Sequence, residues 1–108
     1  MVVVNRFDIF WIELDPTKGS EISKTRPCVV ISPNDVNTHL TTVVVAPITS
    51  TIRKYPTRVG CKLQGKTGEI ALDQLRAVDK TRLRTKISTL GNSTAMQVCT
   101  TLQAFFEY

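Results

Sequence analysis

Arg26 and Thr49 are the two positions whose residue types and settings best suit chemistry on a phosphodiester. Arg26 lies between Thr25 and Pro27, where a long polar segment enters an apolar run. The following proline constrains its backbone while the side chain can face a cleft. Thr49 and Ser50 follow Pro47-Ile48 at the exit of another apolar run. A guanidinium fork matches two phosphate oxygens at once, and a neighbouring hydroxyl can donate to negative charge developing on them. Each position also has an ordinary structural reading, as a loop exit and as a strand terminator.

Other reaction classes find little support. The one histidine, His39, cannot supply both imidazoles of a paired acid/base mechanism from a single chain, and its polar setting after a turn reads as an exposed loop residue. No H-E-x-x-H, D-x-D or Cys/His spacing suggests a metal shell, so no metal or organic cofactor is expected. A nucleophile elbow, a P-loop and a dinucleotide fingerprint are all missing.

RNA, however, carries its own nucleophile. The 2′-hydroxyl lies beside its phosphodiester, so a protein need only align it, take its proton, stabilise the phosphorane and protonate the leaving 5′-oxygen. Arginine and hydroxyl side chains suffice for much of that work.

The elements that must position these residues read as short strands. β-branched and aromatic runs at 7–14, 28–32, 42–47, 57–62, 68–72 and 86–90 are separated by Gly, Pro, Asn and Asp. The segment from Asp15-Pro16-Thr17-Lys18-Gly19-Ser20 to Thr25 reads as a loop longer than a hairpin needs, a length often associated with function. Helical turns are expected at 34–38 and at 79–83, the second capped by Asp79. At the C-terminus Ala95, Val98, Cys99, Leu102, Phe105 and Phe106 fall at helical spacing, with Asn92 or Ser93 as the N-cap, so an amphipathic helix should pack on the sheet. The sum is a single α+β domain over 1–108, dominated by a strongly twisted antiparallel sheet of SH3-like barrel character.

Composition is consistent with one cytoplasmic domain. The chain has 108 residues, 42% of them hydrophobic, enough for one modest core. Its apolar runs fall far short of the roughly 20 residues that span a bilayer, and no basic region precedes the apolar N-terminal residues, so neither membrane insertion nor secretion is expected. Cys28, Cys61 and Cys99 are odd in number and form no C-x-x-C pair, which points to reduced, buried thiols. Fourteen Lys and Arg against nine Asp and Glu leave a net charge of +5, which favours polyanions.

Several segments, in order, resemble the MazF/PemK toxin family over nearly the whole chain. They are Arg6-Phe7-Asp8-Ile9 leading to Leu14-Asp15-Pro16-Thr17-Lys18-Gly19-Ser20-Glu21; Lys24-Thr25-Arg26-Pro27 with Val29-Val30-Ile31-Ser32-Pro33; Val45-Ala46-Pro47-Ile48-Thr49-Ser50; and Leu72-Asp73-Gln74-Leu75-Arg76-Ala77-Val78-Asp79. The resemblance implies a twisted antiparallel sheet with a C-terminal helix, a homodimer, and an endoribonuclease that cuts single-stranded RNA to a 2′,3′-cyclic phosphate and a 5′-hydroxyl without a metal. It implies Arg26 and Thr49 as the catalytic pair, Glu21, Ser50, Asp73 and Gln74 around the RNA groove, and an acidic, MazE-like antitoxin that blocks the groove.

Beside these, Lys24, Arg53, Lys54 and Arg58 are basic candidates for phosphate contact, and Tyr55 could stack a base. Phe10 and Trp11 read as core or dimer packing. The general base stays open between Arg26, whose pKa above about 12 demands transient deprotonation, and Asp73, with Thr49 as a relay to the leaving oxygen. The chain departs from the family at Ala71, where some members carry an arginine, and at Phe7, where glycine is usual. Two rival readings remain: a non-enzymatic toxin that docks on DNA gyrase through its C-terminal helix, as CcdB-type toxins are thought to, and an RNA-binding module that leaves RNA intact.

Overall fold

The apolar run ahead of Thr49 becomes the central strand of a curled antiparallel sheet. The computed structural model describes residues 3–14, 18, 19, 21 and 24–108. Its strands are β1 (Asp8–Glu13), β2 (Thr25–Val30), β3 (Thr42–Thr49), β4 (Arg58–Leu63), β5 (Lys66–Ala71), β6 (Arg76–Asp79) and β7 (Leu83–Thr89), with helices α1 (Asn34–His39) and α2 (Asn92–Phe105). The sheet runs β4-β5-β3-β2-β1-β7, and β6 also pairs with β3. Because both faces of β3 are covered, its sequence reads as a near-continuous apolar run instead of alternating.

The pairing of β3 positions the site. One edge of β3 takes β6 over Thr42 to Val45 and then β5 over Ile48 and Thr49. Between these two partners lies Pro47, which has no N–H to offer a ladder. The chain crosses from β5 to β6 through a 3₁₀ turn, Leu72–Gln74, so Asp73 and Gln74 are carried past this gap. The other edge of β3 takes β2, with Cys28 opposite Pro47.

Two apolar cores lie on opposite faces of the curl. One gathers Phe10, Ile12, Leu14, Cys28, Val30, Val43, Val45 and Val78. The other gathers Ile9, Val29, Ala46, Ile48, Ile70 and Leu72 beneath Val98 of α2. Two register shifts between β1 and β7, between Ile9 and Phe10 and between Phe10 and Ile12, add to the curl. β4 and β5 turn at Gln64-Gly65, both at positive φ (52° and 78°), a two-residue geometry that matches strand twist.

The expected strands all form, with shifted ends. β2 begins at Thr25 and β3 runs to Thr49, so Arg26 and Thr49 both lie inside paired elements. The helical turns at 34–38 and 79–83 appear as α1 and a 3₁₀ turn, Lys80–Arg82, with the Asp79 side chain accepting from the Thr81 N–H. Residues 15–17, 20, 22 and 23 of the long loop lie outside the described residues.

One strand was not anticipated, and two expectations need correction. β6 went unanticipated because four residues with one buried side chain, Val78, carry too little pattern. The N-cap of α2 is Gly91, with no side-chain cap; neither Asn92 nor Ser93 serves, and both fall inside the helix. Phe105 and Phe106 are exposed, edge to face at 4.9 Å, and join neither core, whereas Leu102 one turn earlier packs on the second.

Phe7 has φ 71°, in the left-handed region that glycine enters without penalty. This gives the glycine usual at that place in the resembled family a backbone reason. Here the phenylalanine offsets the strain by packing on the second core and stacking under Arg6, 5.0 Å from guanidinium to ring.

Candidate functional site

Arg26 and Thr49 line one cleft of about 330 Å³, together with Trp11, Pro27, Ile48, Ser50, Gln64, Lys66 and Gly68. Each sits two residues beyond the paired positions Cys28 and Pro47, so the strand register carries both to the same end of the sheet. Thr49 is 6% exposed, and its hydroxyl oxygen accepts from the Thr51 N–H at 3.1 Å. That bond uses an oxygen lone pair, so the hydroxyl keeps its own proton for donation. Arg26 is half-buried.

A second hollow of about 250 Å³ is lined by Leu14, Glu21, Pro47, Asp73, Gln74, Leu75 and Arg76. Arg76 Nη1 donates to the Leu14 carbonyl at 2.9 Å, which fixes one nitrogen and leaves the fork at the hollow. Both Arg76 and Arg26 act on Cys28: burial pushes its thiol up to about 12, and the two guanidiniums draw it down without overcoming that. Cys28 is therefore a neutral packing group. Arg26 lines the first cleft and Arg76 the second hollow, so each recess has a guanidinium of the kind that matches phosphate oxygens.

Arg58 turns inward. Its side chain is 7% exposed, with Nε donating to Asp73 Oδ1 at 2.7 Å, Nη2 to Asp73 Oδ2 at 3.3 Å and Nη1 to Glu69 Oε1 at 3.4 Å. The sequence assigned it to phosphate contact; in the structure both edges of its fork are occupied by carboxylates. Glu69, itself 5% exposed, also accepts from the backbone N–H groups of Arg53 at 2.9 Å and Lys54 at 3.0 Å. Thr57 Oγ1 donates to Asp73 Oδ1 at 3.0 Å.

These bonds set the acid sensitivity of the region. Burial pushes the Glu69 carboxyl up, but the Arg53 and Lys54 amides and the Arg58 guanidinium outweigh it and hold the carboxyl below its usual range. Asp73 behaves likewise, its burial outweighed chiefly by the hydrogen bond from Arg58. A folded-state pKa below the unfolded value gives stability that is complete above the unfolded pKa of about 4 and is lost as pH falls through the folded one. Wild type should therefore exceed Glu69→Gln in urea midpoint at pH 7, and the gap should close as pH drops below about 4. An unchanged gap at pH 3 would contradict the assignment. The same ion pair makes Asp73 a weak general base.

The remaining candidates are placed as follows. Glu21 is exposed at the second hollow, its Oε1 accepting from the Lys18 N–H at 2.7 Å. Lys24 holds φ 69° and its carbonyl accepts from the Leu14 N–H at 3.0 Å, at the point where the loop rejoins the sheet. Ser50 is exposed on the first cleft. Arg53, Lys54 and Tyr55 are exposed on the loop after β3, with Tyr55 5.1 Å beneath the Arg58 guanidinium. His39 is exposed at the end of α1, with Nδ1 2.7 Å from the Asp35 carbonyl.

Four residues of the site escaped the sequence. Trp11, read as core or dimer packing, is 38% exposed and faces the first cleft, whereas its neighbour Phe10 is buried. Arg76 and Glu69 gave no local signal, since their partners lie far away in sequence. Lys66 enters only because the β4–β5 hairpin folds over the end of β3. Among the described residues no cluster of three His, Cys, Asp or Glu could hold a metal ion, and no helix is long and apolar enough to cross a membrane.

Known proteins share this fold. Residues 5–106 match the family model described as PemK-like, MazF-like toxin of type II toxin-antitoxin system. An Endoribonuclease MazF from Staphylococcus epidermidis is 35% identical over 102 residues, spanning 89% of this chain and 85% of that protein. The crystal structure of MazF (Form-I) from Deinococcus radiodurans superposes with a TM-score of 0.87 at 23% identity, covering all of both chains. An endoribonuclease in complex with its cognate antitoxin, from a mycobacterial species, superposes at 0.80 and 22% identity over 94% of this chain and 92% of that one. A curled β-dominated sheet with a C-terminal helix and a match along nearly its full length place the chain in the PemK-like, MazF-like family of type II toxin–antitoxin toxins.

Proposed function

We propose that this protein is a metal-independent endoribonuclease that cuts single-stranded RNA, with Arg26 and Thr49 as its catalytic pair. The observation that carries the mechanism is their shared cleft, beside a second hollow that Arg76 lines together with Glu21 and Asp73. A ribose 2′-oxygen attacks its own phosphorus, forming the 2′-O–P bond and breaking the P–O5′ bond; the 2′ proton leaves to a base and a proton is delivered to the 5′-oxygen. Arg26 holds the non-bridging oxygens and steadies the charge gained in the transition state. Thr49 donates from its available hydroxyl, to those oxygens or to the leaving one. Gln74 lines the second hollow, and an amide side chain, which carries both donor and acceptor atoms, is a type suited to a base edge.

Two ordinary conditions test this reading. Cleavage of single-stranded RNA should persist in EDTA, and it should stop at a site when the nucleotide 5′ of the scissile bond is 2′-deoxy, as followed by gel mapping. Continued cleavage at the deoxy site would exclude attack by the 2′-hydroxyl.

The family relationship extends the proposal to partners and location. A cytoplasmic homodimer held in check by an acidic antitoxin fits the +5 charge, because a negative segment seated on the groove would cover the cations that RNA needs. One feature favours a different reading: the exposed Phe105–Phe106 pair and Met96 give α2 an apolar surface of the kind a gyrase-docking toxin would use. Under that reading toxicity would survive Arg26→Ala and disappear on changing Phe105 and Phe106.

A further inference from the structure

The loop 50–57 has little regular structure, yet its position is closely fixed. Glu69 on β5 accepts from two successive backbone N–H groups of the loop, at Arg53 and Lys54. Where the loop ends, Arg58 joins Glu69 to Asp73 on the Leu72–Gln74 turn. Thr57 adds a side-chain bond to Asp73, and its carbonyl accepts from the Leu72 N–H at 3.1 Å. A carboxylate as buried as Glu69 is costly unless its lone pairs are matched, and here they are matched by the loop.

We propose that Glu69, Arg58 and Asp73 are positioning residues for RNA: together they lock the loop bearing Arg53, Lys54 and Tyr55 against the turn bearing Gln74, so that one RNA strand meets both as a single preformed surface. The proposal rests on the ribonuclease reading above. Ordering a loop on binding costs backbone entropy, and a surface ordered beforehand avoids that cost. Glu69 and Arg58 line neither hollow and Asp73 lines only the second, so losing Glu69 or Arg58 should weaken RNA binding more than the chemical step. Glu69 is central, because it alone touches both the loop backbone and Arg58.

Glu69→Gln is the variant of choice, since it keeps shape while its amide meets donors with a donor. Its dissociation constant for a mixed-sequence 2′-O-methyl RNA, which has no attacking hydroxyl, and its KM for cleavable RNA should both rise about tenfold, with kcat within about threefold of wild type. Amide exchange at Arg53 and Lys54 should quicken. Arg58→Lys, which keeps a charge but cannot span both carboxylates, should lie between. Faster exchange with unchanged RNA affinity would overturn the proposal, as would a fall in kcat at unchanged KM. A wild type that binds but never cuts RNA would refute the ribonuclease reading instead, and the affinity comparison would still decide the role of Glu69.

Discussion

Arg26→Ala is expected to lower kcat on single-stranded RNA by about a thousandfold while the protein keeps its fold. Removing one well-placed donor to a developing anion commonly costs 10²–10³ in rate, and a charged fork making two such bonds belongs at the upper end. Arg26 is half-buried at the end of β2, so truncation leaves little void, and the thermal midpoint should move only slightly. Arg26→Lys separates charge from geometry. An ammonium restores the positive charge near Cys28 but not the planar fork, so it should recover only a small part of the lost rate. A lysine variant as active as wild type would mean that the site needs a cation there and nothing more.

Gly68→Ala should cost about a hundredfold in kcat although residue 68 carries no side chain to react. A Cβ at that position would lie 2.9 Å from the Thr49 carbonyl oxygen and 3.4 Å from Ile48 Cγ2. A backbone oxygen in a paired strand cannot swing aside as a side chain can, so β5 and the end of β3 must separate and carry Thr49 with them. Misplacing a catalytic group by about 1 Å is enough for such a loss, and the overpacking should reduce stability by about 1–3 kcal/mol. Gly60 on β4 is the matched control: a Cβ there meets nothing within 4 Å, and Gly60→Ala should leave rate and stability unchanged. Equal effects at the two glycines would show that general loosening of the hairpin, not displacement of Thr49, lowers the rate.

How far the sequence could be read depended on the range of the interactions involved. The strands were legible because β-branched runs between turn residues are a local signal, and Arg26 and Thr49 because they stand where such runs begin and end. Arg53, Lys54 and Arg58 look alike as one basic run, yet the first two are exposed and the third is buried on carboxylates 11 and 15 residues further on. Composition records the charge and not the partner. Trp11 reads as core or dimer packing because large aromatics are usually covered, but it stands 38% exposed on the first cleft. Phe105 and Phe106 follow the helical period of Val98 and Leu102, yet burial fades along the helix from Val98 to Phe106, which the period does not record.

The account turns on phosphorus being attacked by the neighbouring ribose oxygen with no metal taking part. The most direct measurement is the chemistry of the ends left on an RNA cut by the purified protein in EDTA, read by mass spectrometry. A 2′,3′-cyclic phosphate on one fragment and a 5′-hydroxyl on the other is the result expected of Arg26 and Thr49. A 5′-phosphate with a 3′-hydroxyl, or cleavage that appears only when a divalent ion is restored, would contradict it.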